Sequence, residues 1–296
     1  MRMFRNLLVD LNNLAFTTRH SSGLKTITNH TKKEKYVKEM IFKNCLTSII
    51  FHANKFNSNG LVIVTDSKNV WRKDIYPEYK SSSSPSDDVY YDDTIAAIDM
   101  LLEFFSEYTA AYCLNTPRCE GDDIIGFWCI NSEMVENTIL SSDTDYIQLI
   151  TEQTNLYSPA QNKFRESYDP QYDLFLKCVR GDKNDTIPSA FPRVQEKRLK
   201  AAWGDDLEML NLLNETRPDG RTVGDVICFN ASLIDLNEQP FEIKQKIMDT
   251  ITTYTPSKFD EIKCMRFLNQ NNLKAFNRIA ENATVLRKSP VFRCSK

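Results

Sequence analysis

An α/β fold, with a mostly parallel central sheet, helices on both faces and a mainly helical C-terminal region, is predicted by three features of the 296-residue sequence. Short runs of branched aliphatic residues alternate with longer segments of helical apolar spacing, the signature of β–α units that pair their strands in parallel. Acidic residues recur at the ends of successive strand candidates. After residue 170 the strand signal fades while helical spacing continues. These features divide the chain into an α/β core, 1–168, and a mainly helical region, 169–296.

Each element has its own justification. "LLVD" (7–10) reads as a short buried strand, and 32–56 as a helix with Val37, Met40, Ile41, Cys45 and Ile49 on one face. "LVIVTD" (61–66) is a strand of branched residues. The serine-rich "SSSSPSDDVYYD" (81–92) is a loop. Ile95, Ile98, Leu102 and Phe105 mark a helix, and "AAYCL" (110–114) a strand. A helix opening at 120 buries Ile124, Ile125 and Trp128, and "TILSSD" (138–143) and "TNLYS" (154–158) complete the strands.

Composition excludes several classes. No uncharged apolar run approaches the ~18–20 residues of a membrane span. Asp10 interrupts the apolar N-terminus and no small-residue cleavage site follows, so a buried strand is expected there rather than a signal peptide. The eight cysteines form no C-x-x-C pair and the three histidines all precede residue 53, which removes zinc spacing. Free buried thiols in a reducing cytoplasm are expected. None of the eight glycines is separated from another by a single residue, so neither G-x-G-x-x-G nor a Walker A loop fits. The net charge of −3 hides two basic clusters, each with seven Lys or Arg, at Arg19–Lys43 and Lys177–Lys200. A phosphate-backbone ligand needs such a local surface, not a basic average.

The acids carry the chemistry. Asp10 ends the first strand and Asp66 the second. Glu120, Asp122 and Asp123 open the helix after the third, and Asp143 and Asp145 close the fourth. In open α/β sheets ligands bind outside the carboxyl ends of the strands, so these seven should meet on one edge. Any one of them has an ordinary role as a helix cap or turn former. Together their repulsion exceeds what helix N-termini relieve, and bound cations neutralise them without protonation. An all-oxygen ligand set points to Mg2+ or Mn2+. In "RGDKNDTIPS", Asp182 and Asp185 are either salt-bridge partners of Lys183 or Arg180, or ligands to a second cation.

At this point the motifs resemble those of the flap-endonuclease/5′-nuclease superfamily, most closely its ribonuclease H (5′-3′ exonuclease) branch from T-even-type bacteriophages. "LLVDLNNLAF", "VIVTDSKNVWRKDIYPEYK", "CEGDDIIGF", "TILSSDTDYIQL" and "LKCVRGDKNDTIPS" occur in the family's order, from about residue 6 to about 280. The resemblance implies a PIN/5′-nuclease-like core, with an arch segment at about 72–95 and a duplex-binding C-terminal region. It implies two Mg2+ ions, replaceable by Mn2+, held by Asp10, Asp66, Glu120, Asp122, Asp123, Asp143, Asp145, Asp182 and Asp185. Asp10 would lie close to the reaction, and Asp145, Asp182 and Asp185 toward the second ion. Arg72, Tyr79 and Lys80 match the family's phosphate-steering positions, with Arg72 and Lys80 expected on the scissile phosphate. Tyr79, Lys80, Lys183, Lys197, Arg198 and Lys200 are expected to contact nucleic acid.

The implied activity is 5′-3′ exonuclease and flap endonuclease cleavage of RNA–DNA and DNA duplexes, removing RNA primers during phage DNA replication. The implied substrates include 5′ flaps and forks. The implied setting is a monomer in the bacterial host cytoplasm, away from membranes, with a single-stranded-DNA-binding protein as partner. Two departures from the family are visible. The segment after Lys80 is neutral and then acidic, and "IPSAFPRVQEKRLKAAW" (187–203) lacks the glycines of a helix–hairpin–helix, so no potassium site is expected. The alternatives are a non-catalytic DNA-binding replication accessory and a Mg2+-dependent phosphatase. The latter would need D-x-D on the first strand, where Asp10 is followed instead by Asn12.

Overall fold

The computed structural model describes residues 4–21, 30–81, 89–191, 193–271, 273 and 284–294. Parts of the expected arch (82–88) and of the first basic cluster (22–29) lie outside these residues. Six strands form one sheet: β1 (Phe4–Asp10), β2 (Gly60–Val64), β3 (Tyr112–Leu114), β4 (Val135–Leu140), β5 (Thr154–Ser158) and β6 (Lys163–Arg165), in the order β3-β2-β1-β4-β5-β6. All neighbours are parallel except β5 and β6. The order reverses between β1 and β4, the point at which open α/β sheets leave a crevice for ligands.

The pleat sends alternate residues to opposite faces, and both faces are covered. Leu7, Val9, Leu61 and Ile63 pack with α1 (Leu11–Ser21), α2 (His30–Lys55), α4 (Tyr91–Tyr108) and α11 (Glu261–Gln270). Leu8, Val62, Val64, Ile139 and Leu156 face α5 (Gly121–Asn131) and α10 (Phe241–Thr253). Val37, Ile41, Cys45 and Ile49 line the buried side of α2 at the expected four-residue spacing. Helix α1 and strand β6 lie outside the sequence expectation, as do short helical turns at Arg72–Ile75 and Asp145–Leu149. Two strands also end early: β2 stops at Val64 and β4 at Leu140, so Asp66 and Asp143 sit in the loops beyond.

Beyond the sheet, α6 (Pro170–Arg180), α7 (Glu196–Trp203), α8 (Asp206–Leu213) and α9 (Val223–Ile234) follow. Leu176, Val179, Leu199, Ala202 and Leu212 form a separate small core from α6, α7 and α8. Asp169 caps α6, accepting from the Gln171 and Tyr172 amides at 3.1 and 3.0 Å. Gly181 ends it at φ +68°, where an added Cβ would sit 2.4 Å from the Ile187 carbonyl oxygen. Ile243, Ile247 and Ile251 of α10 and Cys264, Phe267 and Leu268 of α11 return to the two sheet cores. The last described segment seals the sheet's lower end: Asn6 and Val291 exchange hydrogen bonds of 2.8 and 3.2 Å.

Among the described residues no helix is long and apolar enough to cross a membrane. All eight cysteines are free; Cys45, Cys119, Cys178 and Cys264 are buried, whereas Cys228 and Cys294 are exposed.

Candidate active site

Asp10, the last residue of β1, is nearly buried. It accepts from the Asn13 amide at 3.0 Å, Ser141 Oγ at 3.1 Å and Tyr146 Oη at 3.0 Å. Burial, with Asp66 and Asp143 nearby, pushes its carboxyl up to about 7 despite these donors. Asp66 lies two residues past β2 and accepts from the Gly121 amide at 2.7 Å. A side chain at 121 would press on that carboxylate, since its Cβ would lie 3.2 Å from Oδ1. Asn12 Oδ1 accepts from the Asp66 amide at 3.3 Å and Asn13 Oδ1 from the Ser142 amide at 2.9 Å. The two asparagines after β1 thus tie the β2 and β4 loops to the first strand.

Glu120, Asp122 and Asp123 sit at the start of α5, where the helix dipole favours negative charge. Their main neutraliser is Arg72, at the start of the short helix α3 (Arg72–Ile75). Its guanidinium donates to Glu120 at 2.7 Å, to Asp123 at 3.1 and 2.9 Å, and through Nε to the Leu233 carbonyl at 2.7 Å. Arg72 is only 1% exposed. The expectation that it meets a scissile phosphate is therefore corrected: its guanidinium is buried and directed at Glu120, Asp123 and the Leu233 carbonyl inside the protein. Tyr79, expected to contact nucleic acid, is likewise turned inward: it is buried and donates to Glu120 at 3.0 Å and Asp185 at 3.3 Å.

Asp123 is fully buried. It accepts from Trp71 Nε1 at 3.0 Å and from the Glu120 amide at 2.9 Å, besides Arg72. These donors fill its oxygens. Asp122 differs: its Oδ1 is buried and accepts no hydrogen bond, with Arg72 3.6 Å away. Burial pushes the Asp122 carboxyl well above its ordinary range. Burial would do the same to Glu120, but Lys80 and Arg72 hold it below its ordinary value.

Lys80 is where the chain enters the cavity. Its φ of +53° is left-handed, a strained conformation for a residue with a Cβ. Its amide donates to the Asp185 carbonyl at 3.1 Å. Its ammonium lies 2.5 Å from Glu120 and 3.8 Å from Asp185. Asp10, Asp66, Glu120, Asp122, Asp143 and Lys80, with Asn12, Asn13, Phe16 and Tyr146, line one open cavity of about 210 Å³.

A second group lies beside it. Ligand atoms of Asp145, Asp182 and Asp185 can come within 4.8 Å of one another, as can those of Glu120, Asp122 and Asp123. Asp182 Oδ1 accepts from the Asn184 and Asp185 amides at 2.8 and 3.3 Å, fixing the loop after α6. Neither Lys183 nor Arg180 pairs with these acids, against one of the two sequence readings. Lys183 is exposed and Arg180 binds Glu196 at 3.0 Å. Lys177 instead contacts Asp145 and lies 3.2 Å from Asp182, while Asp185 faces Lys80 at 3.8 Å.

Lys197, Arg198 and Lys200 are exposed on α7, opposite the buried Leu199, and Arg198 pairs with Glu215. Asn12, Asn13, Ser141, Tyr146 and Lys177 were not singled out from the sequence. The two asparagines and Tyr146 lie inside the quoted motifs, where polar residues abutting a buried strand could have marked them. For Lys177 the only signal was its membership of a basic run.

The family described as 5′-3′ exonuclease, N-terminal resolvase-like domain, matches residues 5–175. The thermostable DNA polymerase I of Thermus filiformis is 26% identical over 228 residues, 73% of this chain and 26% of that protein. A 5′-3′ exonuclease of Buchnera aphidicola is 32% identical over 144 residues, covering 45% of this chain and 48% of its own. The chain thus spans half or less of the length of these curated relatives. A flap endonuclease of bacteriophage T5, in a pseudo-enzyme–product complex with DNA and metal ions, superposes with a TM-score of 0.60 at 15% identity. That match covers 94% of this chain and 100% of the other. The T5 5′-exonuclease with bound zinc gives 0.56 at 16% identity, over 95% and 99%. The family match extends over more than half the sequence, and the chain belongs to the 5′-3′ exonuclease family.

Proposed function

We propose that this chain is a divalent-cation-dependent 5′ nuclease that hydrolyses phosphodiester bonds in RNA–DNA and DNA duplexes, including 5′ flaps and forks, and that it removes RNA primers during phage DNA replication. The observation that carries the reading is the convergence of five carboxylates and one lysine on a single cavity at the switch point of the sheet. Two relatives named as exonuclease or flap endonuclease, one of them solved with DNA and metal ions, support the same substrate class.

The donor set fits Mg2+ or Mn2+. It is all oxygen, and Asp122 Oδ1 is buried without a hydrogen-bond donor. Asp10, Asp66, Glu120, Asp122 and Asp143 would hold one ion, and Asp145, Asp182 and Asp185 the second. Asp123 is assigned to support, because its oxygens are filled by Trp71, Arg72 and the Glu120 amide. When bound, such ions supply a water made acidic enough to attack near neutral pH and offset charge on the leaving oxygen.

The chain's own residues do the rest. Tyr146 and Ser141 orient Asp10 through its Oδ2. Arg72 positions Glu120 and Asp123 rather than the substrate. Lys80, 39% exposed at its side chain and lining the cavity, would be the cation that meets a phosphate. Lys183, Lys197, Arg198 and Lys200 would contact duplex phosphates, and specificity would rest on backbone and end geometry. The helical segment from 169 would carry this grip, while α10 and α11 belong by packing to the core.

Digestion of 5′-labelled and 3′-labelled duplexes, with Mg2+ and with EDTA, tests the reading. Cation-dependent release starting at the 5′ end is expected. Duplex binding without cleavage at any Mg2+ concentration would leave only the accessory role.

A further inference from the structure

The two groups of acids are neutralised by different kinds of cation, and the second is the more telling. Asp145, Asp182 and Asp185 lie close enough to share one ion. Lys177 already contacts Asp145 and lies 3.2 Å from Asp182. The ammonium therefore stands where a divalent ion shared by Asp145 and Asp182 would have to come. Unlike Arg72, it is not locked in. Its side chain is 21% exposed and borders a cavity of about 300 Å³ lined also by Thr144, Ile147, Gln148, Leu174 and Arg180. Asp173 lines the same cavity, one helical turn before Lys177 on α6. Residues at i and i+4 face each other on a helix surface, so Asp173 offers the withdrawn ammonium a second anionic partner. Asp173 is exposed, and its carboxylate accepts at present from the Ser167 hydroxyl.

We propose that Lys177 is a tethered counter-cation: it holds Asp145 and Asp182, two of the three acids of this group, when no divalent ion is present, swings toward Asp173 when one binds, and so sets the concentration at which the second cation site fills. This rests on the reading of these three acids as the second cation site. The physical argument is competition. Three carboxylates this close need a positive charge, and a resident lysine removes the penalty of leaving them bare. The same charge must be displaced before an ion can enter, which weakens the ion's net affinity.

The test uses the whole chain, Mn2+ as the only added ligand and no nucleic acid. Bound ions are counted by loss of the free-Mn2+ electron paramagnetic resonance signal, and melting temperature is followed in EDTA and in Mn2+. In Lys177→Met the weaker of two Mn2+ sites should tighten by about tenfold. The melting temperature in EDTA should fall, and Mn2+ should restore more of it than in the native chain. Asp173→Asn, an exposed change that should fold, would shift the weaker site the other way by about twofold. Lys177→Gln repeats the first arm with a side chain that still donates, should the Met variant fail to fold.

Unchanged or weaker Mn2+ binding in the Lys177 variants would overturn the proposal and return Lys177 to a structural ion pair. Asp185→Asn separates this from failure of the underlying reading. If it abolishes the weaker site while the Lys177 variants do not tighten it, only the competition idea falls. If the native chain binds a single Mn2+, or Asp185→Asn leaves both sites intact, the second cation site falls with it.

Discussion

Two acidic groups, each of three carboxylates, lie next to each other, with Lys80 reaching Glu120 of one and Asp185 of the other, and are solved by opposite means. Glu120, Asp122 and Asp123 are pinned by Arg72, a planar, permanently charged group that is 1% exposed and tied in turn to the Leu233 carbonyl of α9. Asp145, Asp182 and Asp185 have side chains about one-fifth exposed; the flexible Lys177 holds the first two, and Lys80 lies 3.8 Å from the third. A buried guanidinium satisfied on several sides cannot leave without a large penalty. A lysine at the edge of a cavity can. The first group is therefore built before any ligand arrives, and the second is adjustable. Asp122 fits this contrast, since Arg72 leaves it 3.6 Å short and its Oδ1 is left for something else.

The sharpest way to break this comparison is to remove one carboxylate from each region. Asp143→Asn is expected to lower the single-turnover cleavage rate by about three orders of magnitude, while duplex binding survives because local negative charge falls. Asp185→Asn should instead raise the Mg2+ requirement and recover with excess metal. Equal losses in the two variants, neither rescued, would erase the distinction between a fixed and an adjustable group.

Next in size is Arg72→Met, which strands buried carboxylates and should cost about 3–5 kcal/mol of stability in denaturant unfolding. Retained stability with lost cleavage would mean that Arg72 acts on substrate after all. A third test uses pH without metal. The Asp10 carboxyl, pushed up by burial to about 7, is protonated in the fold where the unfolded chain is ionised. Its contribution is thus full below about pH 4 and lost as pH rises toward 7. Burial depresses His52, which works in the opposite direction, so the comparison is with Asp10→Asn, where His52 cancels. Between pH 5 and 7 in EDTA the native chain should lose about 2 kcal/mol relative to the variant. A constant difference would place Asp10 in an ordinary solvated setting.

The smallest effect concerns α7. Neutralising Lys197, Arg198 and Lys200 together should flatten the salt dependence of duplex binding by about 0.9 log units per lost contact, with the chemical step unchanged. Arg198 is the weakest of the three candidates, because Glu215 already holds it. An unaltered slope would make this surface a solvated face only.

Much of this was legible in the sequence because strand ends and acids share a period. Asp10 and Asp66 follow runs whose branched residues can hardly be anything but buried strand. What stayed hidden was direction. Arg72 and Tyr79 sit in the polar-looking "WRKDIYPEYK", and only packing reveals that they point inward, toward Glu120 and Asp123. Lys177 read as one of seven basic residues, yet its neighbours in space are acids more than it is a member of a basic face. Helix α1 escaped notice because it begins at Leu11 directly after β1, with no glycine or proline to punctuate the change. Strand β6 is three residues long and too short to show a period.

The bond between Asn6 and Val291 has a consequence for how the molecule is made. It joins groups 285 positions apart. A ribosome delivers the chain from its first residue, so β1 emerges early and can pair with β2 and β4 long before residue 291 exists. Until then the Asn6 amide has Asn137 as its side-chain partner at 3.1 Å, and the lower edge of the sheet stays open to water and to other nascent chains. Closing so distant a contact comes late and slowly, because its loop entropy must be met before the bond rewards it. Synthesis of this protein should therefore pass through a stage in which the upper, acidic edge of the sheet is already assembled while its opposite end still waits for the segment around residue 291.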